Sequence, residues 1–229
     1  MNRMTDDNSL GPVPSPDLKD YYGRRAPQYD QIYQRPERQQ ALRELEQRVE
    51  TILAGRRILE VACGSGYWTR LLAPAARGVL ATDINEAMLG IARERCRAWP
   101  RVEFQVMDCY ALDATLGSFD GAFLGFWWSH IAKRDIPRFL QVLHDRLEDQ
   151  ALVVVLDNRY VEGNSTPISR IDTDGNSYQL RSLADGSRFE ILKNFPTSGE
   201  MRAALGRRAG AFSHEKLGYY WLAQYRYRK

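Results

Sequence analysis

Apolar strands alternate with helical segments between residues 56 and 158, and this alternation limits the possible folds more than any other feature of the chain. The strand-like runs read RRILEVA, GVLATDI, RVEFQVMD, FDGAFLGFWW and ALVVVLDN. Runs that are apolar almost throughout are typical of parallel strands covered by helices on both faces. We therefore expect an α/β fold built on a doubly wound, mostly parallel sheet.

The segments on either side of this region have different patterns. Before it, residues 36–55 carry apolar side chains at helical spacing, with a proline at the start and a glycine after the end. After it, the sequence predicts a β-hairpin in NSYQLRSLADGSRFEILKN and a short helix in SGEMRAALGRRAG. The stretch AFSHEKLGYYWLAQYRYR predicts two strands joined at Gly218, and so short a connection makes them antiparallel.

Composition and charge favour one soluble domain. The chain has 229 residues, of which 44% are hydrophobic, and its net charge of +3 is spread without a basic stripe that would indicate nucleic-acid binding. The three cysteines lack CxxC spacing, so we expect neither a disulfide framework nor a metal site. No apolar run is long enough to cross a membrane. We expect a flexible, proline-containing arm over residues 1–17, a single domain over residues 18–229, and a cytoplasmic location.

The first strand ends in an acid and two glycines, in the stretch ILEVACGSGYWT. Glycine after a strand is often only a turn, but Gly64 and Gly66 also allow a ligand to approach the backbone closely. A dinucleotide-binding turn would have a third glycine at the position of Thr69. Glu60 stands just before the turn instead, and a carboxylate there would repel a phosphate and suit a cationic ligand.

Two more acids end the next two strands. Asp83 ends the second in ATDIN, and Asp108 ends the third in VMDCY. Ligands of doubly wound sheets bind at the carboxyl ends of the strands, where an acid accepts hydrogen bonds from ribose hydroxyls. The three carboxylates therefore form one predicted site, with Asp83 as the ribose acceptor.

Together, ILEVACGSGYWT, ATDINEAML, VMDCYAL and FDGAFLGFWWSHI resemble the class I S-adenosylmethionine (SAM)-dependent methyltransferases over roughly residues 20–158. The resemblance implies a Rossmann-like, seven-stranded sheet with an antiparallel last strand, and SAM as the cofactor. It implies that Glu60 and the backbone of Ala62, Gly64 and Gly66 hold the methionine part, and Asp83 the ribose. The remaining predicted contacts are Ile84 and Met88 on the adenine faces, Asp108 and Cys109 at the adenine edge, and Phe126. Ala62 departs from the family, since many members have glycine there.

The segment DYYGRRAPQYDQIY resembles the N-terminal lid of the small-molecule members of this family. We assign the lid to residues 18–35 and expect Tyr22 and Tyr29 to contact the cofactor, because an aromatic face attracts a cation such as a sulfonium. The alternative is a tyrosine-rich helix that only packs against its neighbours.

Methyl transfer from a sulfonium requires alignment, exclusion of water and, for some acceptors, removal of a proton. His130, just after the fourth strand, is the predicted base, although it could simply cap the following helix. Trp127 and Trp128 alternate faces on the predicted strand, so one is expected in the core and one at the acceptor, or both in the core.

Residues 159–210 interrupt the common fold and are the predicted substrate cap. Arg159, Tyr160 and Arg170 are candidates to meet an acidic or aromatic acceptor there, although exposed arginines are usually just solvated. The predicted function is transfer of a methyl group from SAM to an oxygen or nitrogen of a small molecule, with no nucleic-acid or membrane partner. The alternatives are a non-catalytic SAM-binding protein and a nucleic-acid methyltransferase. The lack of an Asn/Asp-Pro-Pro-Tyr run after the fourth strand counts against a nucleic-acid methyltransferase of the adenine-N6 or cytosine-N4 type.

Overall fold

A seven-stranded sheet forms the centre of the computed structural model, which describes residues 18–229. The predicted flexible arm, residues 1–17, lies outside these described residues. Five parallel strands are β1 Arg57–Val61, β2 Gly78–Asp83, β3 Val102–Val106, β4 Phe119–Gly125 and β5 Leu147–Asn158. The strands β9 Ala209–Leu217 and β10 Tyr220–Tyr227 complete the sheet, in the order β3-β2-β1-β4-β5-β10-β9. β10 runs antiparallel to both of its neighbours. The predicted doubly wound sheet with an antiparallel last strand is thus confirmed.

Helices cover both faces of this sheet. They are α1 Leu18–Arg25, α2 Gln39–Leu53, α3 Tyr67–Leu72, α4 Glu86–Cys96, α5 Ile136–His144 and α6 Ser198–Leu205, and a 3-10 segment, Ala26–Tyr33, follows α1. α2, α3 and α4 pack on one face, and α5 and α6 on the other. In the part of the chain that the structure describes, no helix is both long and apolar enough to cross a membrane.

The central strand β1 shows why the strand sequences are apolar on both sides. Ile58 packs among the residues of α2, α3 and α4, whereas Leu59 and Val61 pack among those of α5 and α6. All three are fully buried, and each such side chain contributes about 1.5–3 kcal/mol to folding. A strand buried on both faces has no polar face, so its sequence reads as a continuous apolar run.

A second, three-stranded antiparallel sheet lies outside the main one. Its strands are β6 Ile168–Ile171, β7 Ser177–Ser182 and β8 Arg188–Leu192, in the order β6-β7-β8. The hairpin β7–β8 turns at the predicted Asp185 and Gly186. β6 was not predicted, because all four of its residues are exposed and give no alternating pattern.

One predicted strand ends earlier than expected. β4 stops at Gly125, because the next residue, Phe126, has a positive φ of 60° that turns the chain out of the sheet. Trp128 then begins a short 3-10 turn, Trp128–His130. The expectation that Trp127 and Trp128 alternate faces on a strand is therefore wrong.

Candidate functional site

The turn after β1 brings the backbone to the carboxyl edge of the sheet. Three of its residues have left-handed backbone conformations, with φ values of 54° at Ala62, 56° at Gly64 and 73° at Gly66. The turn is fixed by a hydrogen bond from the Cys63 amide to the carbonyl of Thr82, 2.9 Å long. A non-glycine residue in this conformation costs about 1–2 kcal/mol, so Ala62 is strained where the sheet meets the site.

The two glycines of the turn have different surroundings. A Cβ atom on Gly64 would lie 3.2 Å from the terminal methyl of Met88, at the surface of a cavity. A Cβ atom on Gly66 would lie 2.8 Å from the Cβ of Ala92, where α3 packs against α4. Gly64 therefore faces a cavity, while Gly66 lets two helices approach each other.

Asp83 connects the ends of β1 and β2. Its carboxylate accepts hydrogen bonds from the backbone amides of Gly64, at 2.9 Å, and Asn85, at 2.8 Å. Burial raises the pKa of Asp83, and these backbone hydrogen bonds oppose the rise. Asn85 in turn caps α4 by accepting a hydrogen bond from the amide of Ala87. The carboxylate is thus held in one position on the cavity wall.

A cavity of about 280 Å³, which we call the sheet cavity, opens at the carboxyl ends of β1, β2, β3 and β4. Ten of the twelve predicted cofactor residues line it, and Glu60 and Gly66 do not. The ten are Tyr22, Tyr29, Ala62, Gly64, Asp83, Ile84, Met88, Asp108, Cys109 and Phe126. The structure therefore brings most of the predicted set to one place.

The walls of the sheet cavity fit a positively charged nucleoside. Two carboxylates, on Asp83 and Asp108, line it together with three tyrosines, Tyr22, Tyr29 and Tyr110. Ile84 leaves 42% of its surface exposed and lines the cavity, where it provides an apolar wall. Carboxylates for hydroxyl and amino groups, and apolar sides for a planar base, are the chemistry that a SAM molecule requires.

Glu60 lies one layer beneath the cavity. It is 1% exposed, and its Oε2 atom has no hydrogen-bond partner among residues 18–229. Burial raises the pKa of Glu60 to about 8, and the charge of Asp83 adds to the rise. Glu60 is therefore mostly protonated at neutral pH, and its predicted contact with the methionine part stays a prediction.

His130 is buried at the end of the turn that follows β4. Its Nδ1 atom lies 2.7 Å from the carbonyl oxygen of Leu192, and its Nε2 atom lies 2.9 Å from the hydroxyl of Tyr22. Because a carbonyl only accepts, Nδ1 carries the proton and Nε2 accepts from the tyrosine. Burial lowers the pKa of His130 well below its ordinary value, and the charges of Lys193 and Arg181 lower it further. The imidazole is neutral at physiological pH.

A buried ion pair positions this turn. The Lys193 ammonium lies 2.9 Å from the carboxylate of Asp157 and donates to the hydroxyl of Ser129 at 2.6 Å. Asp157 also accepts the backbone amide of Ser129 at 3.0 Å. Sequence reasoning missed this pair. Asp157 could have been identified by the pattern that identified Asp83 and Asp108, because it also lies at the end of a parallel strand.

A second cavity, of about 440 Å³, lies between the N-terminal segment, residues 18–35, and the three-stranded sheet. We call it the cap cavity. Four residues line both cavities: Tyr22, Tyr29, Phe126 and His130. The two cavities therefore meet at the predicted base.

The predicted acceptor residues are scattered. Trp127 lines the sheet cavity, but Trp128, Arg159 and Tyr160 line neither cavity. Trp128 is 2% exposed in the core, and Arg159 donates to the carbonyl of Gly218 at 2.6 Å. Tyr160 is 41% exposed and packs edge-on against Phe195. Arg170, the other arginine considered, pairs with Glu190 on the outer sheet at 2.8 Å.

Other basic residues face the cap cavity, and sequence reasoning missed them. They are Arg25, Arg35, Arg38, Arg181 and Lys193. Arg181 lies on β7 two residues after the buried Gln179, so the alternation within the predicted hairpin would have placed both side chains on one face.

The comparisons with known proteins agree with the site. A family model described as a methyltransferase domain matches residues 58–150. A ubiquinone biosynthesis O-methyltransferase of Methylococcus capsulatus is 40% identical over 72 residues, which are 31% of this chain and 30% of that protein. A probable SAM-dependent methyltransferase of Mycobacterium tuberculosis is 29% identical, and the match covers 75% of this chain and 56% of the relative.

The solved structure of DhpI in complex with S-adenosylhomocysteine (SAH) has the same fold. Its TM-score is 0.75 at 24% identity, and the match covers 91% of this chain and 94% of DhpI. The chain spans between 30% and 56% of the length of the two curated relatives described above. The chain therefore contains a methyltransferase domain over residues 58–150, and it is similar to SAM-dependent methyltransferases in sequence and shares the fold of DhpI.

Proposed function

We propose that the protein transfers a methyl group from SAM to an oxygen or nitrogen of a small molecule. The observation that carries this proposal is the meeting of two cavities at His130 and Tyr22. One cavity has the lining that a SAM molecule requires, and the other is separate, recessed and large enough for a small acceptor. Two molecules bound in these cavities would meet at the shared wall.

In the sheet cavity, Asp83 would hold the ribose hydroxyls, and the backbone of the turn at Gly64 the methionine part. Ile84 and Met88 would cover the base, with Asp108 and Cys109 at its edge. Bound SAM supplies a methyl group that is already activated by its positively charged sulfur. The protein therefore has to bind, orient and exclude water, without forming a covalent intermediate of its own.

The N-terminal segment would act as the lid over this site. Tyr22 and Tyr29 face both cavities, and their rings lie 5.8 Å apart, edge to face. Aromatic faces at this point favour a cation by about 0.5–2 kcal/mol. An ion pair between Asp30 and Arg95 ties the segment to α4, and the rings of Tyr21 and Phe189 tie it to β8. We therefore assign residues 18–35 as the lid and residues 159–210 as the cap.

His130 faces the junction of the cavities, where it would contact the acceptor. Its Nε2 atom can take a proton from an acceptor or hold the acceptor through Tyr22. Protonation of His130 would place a third positive charge beside Lys193 and Arg181. This cost disfavours a role for His130 as the base that removes a proton from the acceptor. Hydrogen bonding to the acceptor needs no such charge, and this role fits the surroundings of His130 better.

Labelled SAM, incubated with the protein and a small-molecule extract, tests the proposal. We expect label in a low-molecular-weight product, and calorimetric binding of both SAM and SAH. Binding of SAM without a labelled product would favour the alternative of a non-catalytic SAM-binding protein. Label recovered only in nucleic acid, when that is added, would overturn the small-molecule assignment. No binding of SAM or SAH by folded protein would overturn the proposal altogether.

A further inference from the structure

Every charged side chain that lines the cap cavity, among the described residues, is basic. Five basic side chains face it, and no aspartate or glutamate does, within the described residues. Some arginines elsewhere on the surface have acidic partners, such as Arg48 with Glu215 and Arg93 with Glu86. In the described chain, no salt bridge forms at the four arginines of the cavity, Arg25, Arg35, Arg38 and Arg181.

The hydrogen bonds of these arginines go to neutral groups. Arg181 donates to the side-chain oxygen of Gln179 at 2.9 Å, and Arg38 donates to that of Asn158 at 3.2 Å. Arg25 donates to the hydroxyl of Tyr21 at 3.1 Å. Partly buried guanidinium groups with neutral partners keep their full charge uncompensated, which is costly unless an anion binds. Their planar array of donors matches carboxylates and phosphates.

The ion pair behind the cavity does not neutralise this charge. Asp157 is fully buried, and its oxygens are already bonded to Lys193 and to the backbone amides of Ser129 and Asn158. Burial lowers the pKa of Lys193, and the charge of Arg181 lowers it further against the opposing effect of Asp157. Asp157 therefore pairs with Lys193 and not with the arginines of the cavity.

We propose that the methyl acceptor is itself an oxyanion, either a carboxylate or a phosphorus oxyanion, which Arg181 holds at the junction of the two cavities. This inference rests on the function proposed above. Arg181, His130 and Tyr22 line the cap cavity together, and Tyr22, which donates to His130, lines the sheet cavity as well. An oxyanion on Arg181 is thus placed beside the point where the methyl group arrives, while Arg25 and Arg38 add positive charge along the cavity.

The reaction then needs no base. A lone pair of the oxyanion forms the O–CH3 bond, the S–CH3 bond breaks, and its electron pair stays on sulfur. The sulfonium loses its positive charge and the oxyanion loses one negative charge, so the products are a methyl ester and SAH. No proton is transferred, which agrees with a buried, neutral His130 that donates or accepts a hydrogen bond without changing its charge.

Calorimetry on the SAH-loaded protein tests the inference, with phenylphosphonate and benzoate as anionic probes and benzamide as the neutral control. We expect at least one anion to bind and benzamide not to. The Arg181→Gln variant should weaken this binding by about 10- to 100-fold while SAH affinity stays unchanged. Arg181→Lys should recover part of it. Arg170→Gln, on the neighbouring strand but paired with Glu190 outside the cavity, is the matched control and should change nothing.

The product of the labelling reaction separates the two kinds of oxyanion. A carboxylate gives a methyl ester that releases labelled methanol in mild base, whereas a phosphonate or phosphate monoester keeps its label and elutes from an anion exchanger at lower salt than its precursor. Either result supports the inference. Label incorporated from the neutral or cationic fraction of an extract that was separated by charge before the reaction would overturn it.

The proposed function and this inference fail in different ways. Absence of SAM and SAH binding would reject the function. SAH binding with no affinity for either anion at millimolar concentration, or equal affinity for benzamide, would reject the oxyanion site alone. If Arg181→Gln does not fold, the same measurement is made with Arg38→Gln, because Arg38 lies outside the three-stranded sheet. Unchanged anion affinity in both variants would also overturn the inference.

Discussion

The sheet cavity and the cap cavity share a wall but differ in charge. The sheet cavity has the carboxylates of Asp83 and Asp108, with Lys19 as its basic lining residue among those described. The cap cavity has five basic residues and no acidic one in the same part of the chain. This difference indicates that a positively charged donor and a negatively charged acceptor are bound side by side, so that each cavity selects its ligand by charge.

The pair of Lys193 and Asp157 gives the largest expected effect, because it is the one buried ion pair behind the cap cavity in the described residues. Lys193→Met leaves the buried carboxylate of Asp157 without its partner and should destabilise the protein by about 3–5 kcal/mol. Urea unfolding measures this. Adding Asp157→Asn to the variant should restore part of the loss, because the side chain loses its charge but keeps an oxygen that accepts a backbone amide. Arg181→Gln is the comparison within the same cavity, and a similar loss there would mean that Arg181 is structural.

Asp83→Ala tests the role of the sheet cavity in binding SAM. Loss of charge-assisted hydrogen bonds to the ligand should weaken SAM binding by about 1.5–3 kcal/mol. Because Asp83 also fixes the amides of Gly64 and Asn85, Asp83→Asn is needed beside it. Calorimetry should show weaker binding in both variants, with oxyanion affinity retained. SAM affinity equal to that of the unaltered protein would remove Asp83 from the site.

The protonation state of Glu60 decides whether a third carboxylate charge lies near the sheet cavity. Its pKa of about 8 in the folded protein lies above the unfolded value of about 4.3, so the folded state binds more protons between these values. Stability should therefore fall as pH rises from about 4.3 to 8, by at most about 1.4 kcal/mol per pH unit. Glu60→Gln should remove this slope, as thermal unfolding across the pH range would show. A variant with the same slope, or one that loses SAM affinity at pH 7, would mean that Glu60 acts as a charged group.

Substitution of Ala62 should have the smallest effect on the free energy of unfolding. Its left-handed conformation is one that glycine adopts without strain, although glycine costs more entropy on folding. Ala62→Gly should therefore raise the free energy of unfolding by about 0.5–1 kcal/mol. Chemical denaturation measures the change, and anion affinity in the cap cavity serves as the control. A destabilised variant would show that the turn does not strain the residue.

The parallel part of the sheet could be predicted because each strand carries its own signal. Continuous apolar runs and the acids at their ends are local in sequence, and they place Asp83 and Asp108 at one edge once the strands are known to be parallel. The early end of β4 could not be predicted, because the turn at Phe126 depends on a backbone conformation that phenylalanine rarely adopts.

The charge of the cap cavity could not be predicted from any one segment. Arg25, Arg38 and Arg181 come from three elements that are far apart in the chain, and each looks like an ordinary surface arginine in sequence. The arginines chosen from sequence, Arg159 and Arg170, point to a backbone carbonyl and to a glutamate instead. Only the packing of α1, the turn before α2 and β7 around one space brings the unpaired charges together.

The most direct test of the two-cavity account is the coupling between the ligands. Phenylphosphonate or benzoate, whichever binds, is titrated into protein loaded with SAH and into protein loaded with a SAM analogue in which an ammonium group replaces the sulfonium. Because a positive charge beside the oxyanion attracts it, the account predicts tighter anion binding in the second complex, by about 5- to 150-fold. Equal affinity in the two complexes, or tighter binding with SAH, would contradict the account.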